Sequence, residues 1–150
     1  AGFTVEADKL EALTEFLQKR AMSGVRISSV RQFMADASLN IGGATVEFAE
    51  TLERLAPFGS GNPAVRLIVH GAVNLKPEWT KGGEHIKTLL ICPVSNARLS
   101  AIAFRAAGTP LADALFSTRG KHVSLAGQLK AQEWMGKRSA SFQIEDVSPC

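Results

Sequence analysis

Tyrosine is absent from this 150-residue chain, and cysteine and tryptophan occur only twice each. Two cysteines, Cys92 and Cys150, are too few for the disulfide framework of a small secreted domain. They also lack the Cys-x-x-Cys spacing of a zinc site. Cys92 stands in the apolar run "LLICPV" and reads as a buried free thiol. No run of about 18 apolar residues is present, which removes a membrane-spanning helix. No basic segment followed by an apolar one opens the chain, so no secretory signal is visible and a reducing cytoplasm is the expected setting. An initiating Met is missing too. "AGFTV" begins abruptly, as expected of a piece of a longer protein.

Catalytic signatures are equally scarce. The three histidines, His70, His85 and His122, are scattered, and no Asp-His or His-Glu cluster accompanies them as a metal hydrolase would require. No serine stands in a Gly-x-Ser-x-Gly elbow. Neither "GATVEF" nor "GSGNP" makes a phosphate-cradling Gly-x4-Gly-Lys-Ser/Thr loop. His70 reads as structural, without a visible partner.

What is present is a core and an uneven charge. Hydrophobic residues make up 45% of the chain, enough for a buried interior. Residues 1–57 carry six basic and eight acidic side chains, and residues 58–150 carry eleven and six, a net of −2 against +5. A basic part of this kind is compatible with a polyanionic partner.

The hydrophobic pattern changes along the chain in the same way. "AGFTV" reads as a strand. "EADKLEALTEFLQKRAM" puts Leu10, Leu13 and Leu17 on one helical stripe with Phe16 beside it. "GVRISSVRQFMADASL" reads as extended. "GGATVEFAETLERLAPFG" is helical through Phe48, Leu52 and Leu55 and is stopped by Pro57 and Gly59. "APFGSGNPA" is the best boundary in the chain. After Pro63 the period becomes two. In "VRLIVHGAVNLK", Val65, Leu67, Val69, Val73 and Leu75 alternate with Arg66, Ile68, His70, Asn74 and Lys76, and Gly71 marks a bulge or bend. "EHIKTLLICPV" and "ARLSAIAFRA" are two further strands. "TPLADALFS" is a short helix with Thr109 as N-cap and Pro110 at its first position. "KHVSLAGQLKAQ" and "KRSASFQIEDV" are a fourth and fifth strand joined through "EWMG".

Three strands, a helix and two strands are the order of a five-stranded Greek-key barrel of the OB type. Gly71 falls where the first strand must bend to close it. SH3-like barrels and split β-sandwiches are compatible with the same order. In an OB barrel, Trp79 would lie in the loop between strands 1 and 2, and Trp134 in the loop between strands 4 and 5, which flank the usual oligonucleotide groove. Single-strand binders combine cations along a groove with aromatic rings on which bases stack. Lys76 and Lys81 accompany Trp79. Lys130, Lys137 and Arg138 accompany Trp134. His85 and Lys87 alternate along strand 2 on the face opposite Ile86 and Thr88. Each tryptophan also has a packing explanation, as a lid folded over a barrel end. Phe104 and Phe142 read as core.

"LERLAPFGSGNP", residues 52–63, resembles the join in the RecJ family of single-stranded-DNA-specific 5′ to 3′ exonucleases, between the domain associated with the DHH phosphoesterase core and an OB domain. "AGFTVEADKLEALTEFL" resembles the end of that DHH-associated domain. "GEHIKTLL", "AIAF" and "EWMGKRSASFQIEDV" resemble strands 2 and 3 and the 4–5 hairpin of the OB domain. The resemblance implies an α+β chain: a helix-and-strand tail at 1–39, a linker helix and Gly/Pro turn at 40–62, and a five-stranded OB-fold β-barrel with one short helix at 63–150. It implies a bacterial enzyme of DNA repair and recombination using Mn2+ or Mg2+. The Asp and His motifs of that chemistry are not in this chain, which is therefore expected to hold no cofactor and to cut nothing by itself. Implied partners are single-stranded DNA, the single-strand-binding protein and the rest of the nuclease, with no membrane. Carried over to this sequence, DNA contact falls to Lys81, His85, Lys87, Trp134, Lys137 and Arg138; Lys130 joins them from the charge pattern around Trp134, with Trp79 as an additional stacking candidate. Two other readings stay open: an OB domain that docks a partner protein, and a purely structural clamp for the nuclease core.

Overall fold

The computed structural model describes residues 4–22 and 33–150, in two compact units that divide between Gln32 and Phe33. The expected strand at "AGFTV" lies largely outside the described residues, as does most of the extended stretch before Phe33. In the first unit, a single 3-10 turn at Ala7–Lys9 leads into helix α1, Leu10–Met22. Leu10, Phe16 and Leu17 are exposed on it.

The second unit is the barrel. Its strands are β1 (Ala37–Leu39), β2 (Leu67–Asn74), β3 (Glu78–Trp79), β4 (Ile86–Ile91), β5 (Arg98–Ala103), β6 (His122–Trp134) and β7 (Lys137–Pro149). Helix α2 spans Val46–Glu53 and helix α3 spans Pro110–Ser117. Five strands close on themselves in the order β2–β4–β5–β7–β6–β2, with β5 and β7 parallel and the other neighbours antiparallel. That is the OB topology expected from the sequence. The other two strands are additions: β1 pairs in parallel with the start of β2, and the two-residue β3 pairs with β4.

Residues 33–62 join this unit. Besides the β1 pairing, Asp36 accepts a hydrogen bond from the Arg66 N–H through its carboxylate (2.8 Å). Ala49 of α2 is fully buried in the barrel core, and Ile41 is nearly so. Thr45 caps α2 by accepting from the Phe48 N–H (3.2 Å). The Gly/Pro turn is pinned by Asn62, whose amide donates to the carbonyls of Leu55 (2.9 Å) and Pro57 (3.1 Å).

Gly71 does what its position predicts, with one consequence that alternation alone misses. The β2–β6 register shifts between Val69 and Ala72, where β2 carries one extra residue, and Gly71 has φ +64°. An extra residue inverts the facing of everything after it. Leu67 and Val69 point inward as expected, but beyond the bulge it is Ala72 and Asn74 that are buried, while Leu75 is exposed. The buried Asn74 is fully partnered. Its amide donates to the carbonyl of Leu115 (2.8 Å) and to Thr118 Oγ1 (3.2 Å), and its side-chain oxygen accepts from Thr88 Oγ1 (2.5 Å). It thereby ties β2, β4 and the C-terminus of α3 together. Leu115, with Phe142, Ile86, Leu90 and Leu125, makes the fully buried interior. Thr109 is the N-cap of α3 in backbone terms and Pro110 opens it, but the Thr109 hydroxyl donates back to Ala106 rather than capping.

A second bulge lies in β7, where the register shifts between Ala126 and Gly127. A Cβ on Gly127 would overlap the Gln143 carbonyl oxygen and crowd Phe142 Cε1 at 3.1 Å. At Gly71, by contrast, a Cβ would meet nothing within 4 Å, so there only the backbone conformation resists substitution. Gly71→Ala should therefore cost about 1 kcal/mol, and Gly127→Ala about 3 kcal/mol. Urea midpoints at unchanged m-value measure both, and equal costs would contradict the assignment.

Candidate nucleic-acid interface

Alternation along β4 and β5 leaves one set of side chains outside the barrel. Ile86, Thr88 and Leu90 of β4 and Leu99, Ala101 and Ala103 of β5 are buried. Lys87, Leu89 and Ile91 therefore share the outer face with Arg98, Ser100 and Ile102. No acidic side chain occurs at these outward positions. In register, Ser100 pairs with Ser141 of β7 and Ser141 with Lys130 of β6, but Ser141 is buried, so the exposed face is that of β4 and β5.

Two aromatic rings close one end of this face. His85 precedes β4 and lies edge-on to Phe104, with ring centroids 5.1 Å apart and planes at 71°. His85 Nδ1 accepts a hydrogen bond from the Arg105 N–H (2.9 Å). That bond fixes the orientation of the ring, which presents a positioned surface beside Phe104. Phe104 is 48% exposed, which overturns its expected place in the core. The signal is present in the alternation: if Leu99, Ala101 and Ala103 point inward, Phe104 does not. Sequence reasoning also misses Arg98. It is exposed, follows the same alternation and carries no ion pair among the described residues.

The candidate residues do not all come together. Lys87 lies on the outer face, and Lys81 is exposed in the turn between β3 and β4. Lys137 is exposed at the start of β7. The Trp134 side chain lies outside what the structure describes; its backbone ends β6 opposite Lys137. Met135 and Gly136 form the two-residue turn between them, both at positive φ (50° and 73°), the primed turn that suits a twisted hairpin. Trp79 is directed elsewhere. It pairs with Ile86, so it lies on the barrel-interior side of the β3–β4 ribbon, against Phe116 of α3.

Two of the predicted cations already have partners inside the chain. Arg138 is ion-paired with Glu50 of α2. Lys130 Nζ lies 5.4 Å from the centroid of the Phe58 ring. The Ala131 N–H donates to Glu53 Oε1 (3.2 Å), so α2 and the turn after it brace the arm of the β6–β7 hairpin at three points. Glu47, at the start of α2, is held below the ordinary glutamate range by its own backbone N–H, by Thr45 and, least, by Arg138. His70, expected to have no partner, shares a hydrogen bond with Ser124 Oγ (3.0 Å). Cys92 is half-buried rather than buried. Its thiol is lowered by the Ser95 hydroxyl and by the N–H groups of Ser95 and Val94.

With Arg138 and Glu50 partly exposed (59% and 28%), their ion pair is worth little. A double-mutant cycle on Arg138→Ala and Glu50→Ala should give a coupling of about 0.5 kcal/mol that shrinks as salt rises. A coupling above about 2 kcal/mol would instead mark a desolvated pair.

No divalent-metal site fits these side chains: among the described residues no group of three or more His, Cys, Asp or Glu could hold an ion. No described helix is long and apolar enough to cross a membrane.

The full chain is similar in fold to RecJ from Thermus thermophilus, solved with Mn2+ and separately with Mg2+. Both comparisons give a TM-score of 0.69 at 20% identity over 99% of this chain. The chain spans only about a fifth of that protein, 20% and 21% of its length in the two structures. No curated protein sequence matches the chain. The family model described as the RecJ OB domain matches residues 35–146, most of the chain and nearly all of the barrel unit, and the chain belongs to that family.

Proposed function

We propose that this chain binds and positions single-stranded DNA as the OB module of a RecJ-like 5′ to 3′ single-stranded-DNA exonuclease acting in DNA repair and recombination. The observation that carries this reading is the outer β4–β5 face. It combines Lys87 and Arg98, neither in an ion pair among the described residues, the His85–Phe104 ring pair, and half-buried Leu89, Ile91 and Ile102, without an outward-facing carboxylate on either strand. Such a surface offers stacking and apolar contact to bases and cations to phosphates. The hairpin tip, with Trp134 and Lys137, borders it. Lys81 and Lys87 extend the basic side toward the β3–β4 turn.

In this reading the barrel unit from Phe33 is the DNA-binding module, and residues 1–32 are the end of the preceding DHH-associated domain. Bond cleavage and the Mn2+ or Mg2+ it uses belong to parts of the parent outside this chain. Arg138 and Lys130 stiffen the hairpin rather than meet phosphates first, since both are engaged by the α2 segment. A protein-docking role for the same face is supported by no separate observation.

Binding of a labelled oligo-dT should weaken as salt rises, with a log–log slope near −0.7 for each phosphate neutralised. Lys87→Ala and Arg98→Ala together should flatten that slope. Phe104→Ala should weaken binding about tenfold with the slope unchanged, because a stacked base is worth about 1–3 kcal/mol. No binding at low salt, or binding indifferent to salt, would sink the proposal.

A further inference from the structure

The β3–β4 ribbon has two sides, and the outer face uses only one. Glu78 and Lys87 pair on the outward side, and Trp79 and Ile86 on the other. Ile86 is inside the barrel, whereas Trp79 lies beyond its wall and meets α3. The Trp79 and Phe116 ring centroids are 5.5 Å apart with the planes tilted by 40°. A ring pair that sealed the barrel end would be buried, yet Trp79 keeps 44% and Phe116 36% of its surface exposed. Ala112 and Leu115 of the same helix already fill the core. The pair is therefore largely surplus to the packing.

Three cations adjoin it through the chain. The Arg119 N–H bonds the Phe116 carbonyl (3.2 Å), and Lys121 follows in the same turn, bonded to the Thr118 carbonyl (2.9 Å). Lys81 lies two residues after Trp79. All three are exposed, and none forms an ion pair among the described residues. Lys76 is occupied by Glu78 (3.0 Å). The acidic neighbours are Asp113, one helical turn before Phe116, and Glu84 in the ribbon turn.

We propose that Trp79 and Phe116, with Lys81, Arg119 and Lys121, form a second contact for the same DNA strand, which reaches it by passing over the edge of the β3–β4 ribbon. This rests on the single-strand reading above and extends its footprint from the outer face to the α3 side of the barrel. The ribbon is one strand pair thick, so His85 on one side and Trp79 on the other are close along it: the Thr80 N–H bonds the His85 carbonyl (2.8 Å). Exposed rings bordered by unpaired cations suit a chain of bases and phosphates, since every base has a stacking face and every linkage a negative charge. A purely apolar partner would leave those cations unmatched.

In the full chain carrying Trp134→Phe, Trp79 is the sole tryptophan. Its emission can be followed with oligo-dT of about 6 and about 15 nucleotides, near the short and long ends of the range for one OB fold. The longer strand should quench Trp79 and the shorter should bind without doing so. Phe116→Leu with Arg119→Ala should weaken the longer strand about tenfold and the shorter less than about twofold. If both strands bind, Trp79 is unquenched and the double variant behaves like its parent, the second contact is refuted while the first stands. If neither strand binds the unsubstituted chain, which keeps Trp134, both fall. Quenching by an acidic peptide but by no oligonucleotide would reassign the surface to a protein partner and overturn the proposal.

Discussion

The barrel depends on one strand serving two neighbours in succession. Before the bulge at Gly71, β2 lies between β1 and β6; after it, β2 lies between β4 and β6. β6 keeps one edge throughout, and the extra residue bends the strand so that its other edge leaves β1 and meets β4. The same residue inverts the facing of the strand's second half. This is why Asn74, a polar side chain, arrives in the interior and becomes the junction of β2, β4 and α3. Burying it is favourable only because each of its polar atoms finds a partner. Bulge and buried amide are one device: the first brings the strand end inward, and the second holds it there.

At the other end of the barrel, α2 plays the matching part. It buries Ala49 against the core and reaches the hairpin arm through Glu50 and Glu53. The cations it engages are committed to bracing the arm. Exposed pairs of this kind contribute at most about 1 kcal/mol, so their effect is on orientation more than on stability. Among the described residues Lys81, Lys87, Arg98, Arg119, Lys121 and Lys137 form no ion pair, and exchange of small counterions for phosphates at cations of that kind supplies most non-specific affinity for nucleic acid.

Much of this is legible in the residues. Period-two alternation locates all five barrel strands, Pro110 locates α3, and Gly71 locates the bulge. "LAPFGSGNP" carries the family resemblance that the match over residues 35–146 bears out. Other features are not legible, for specific reasons. Strand β1, Ala37–Leu39, falls at the end of the stretch read as extended, but its parallel pairing with β2 follows from no local pattern. Strand β3 is two residues long and exists only because β4 offers it an edge. The apolar neighbours of Phe104 suggest a place in the core, although its own register position points outward.

The sequence by itself determined the class of fold and its family, because periodicity, turn residues and the Gly/Pro join are local properties read within a few positions. It also determined that a basic part follows an acidic one. Only the tertiary structure decided which cations are free and which rings are exposed. Arg138 meets Glu50, Lys130 meets Phe58, Trp79 meets Phe116 and His85 meets Phe104 across 19 to 88 positions of chain. Local pattern carries no record of such encounters, since they follow from strand register, and one bulge is enough to reverse it.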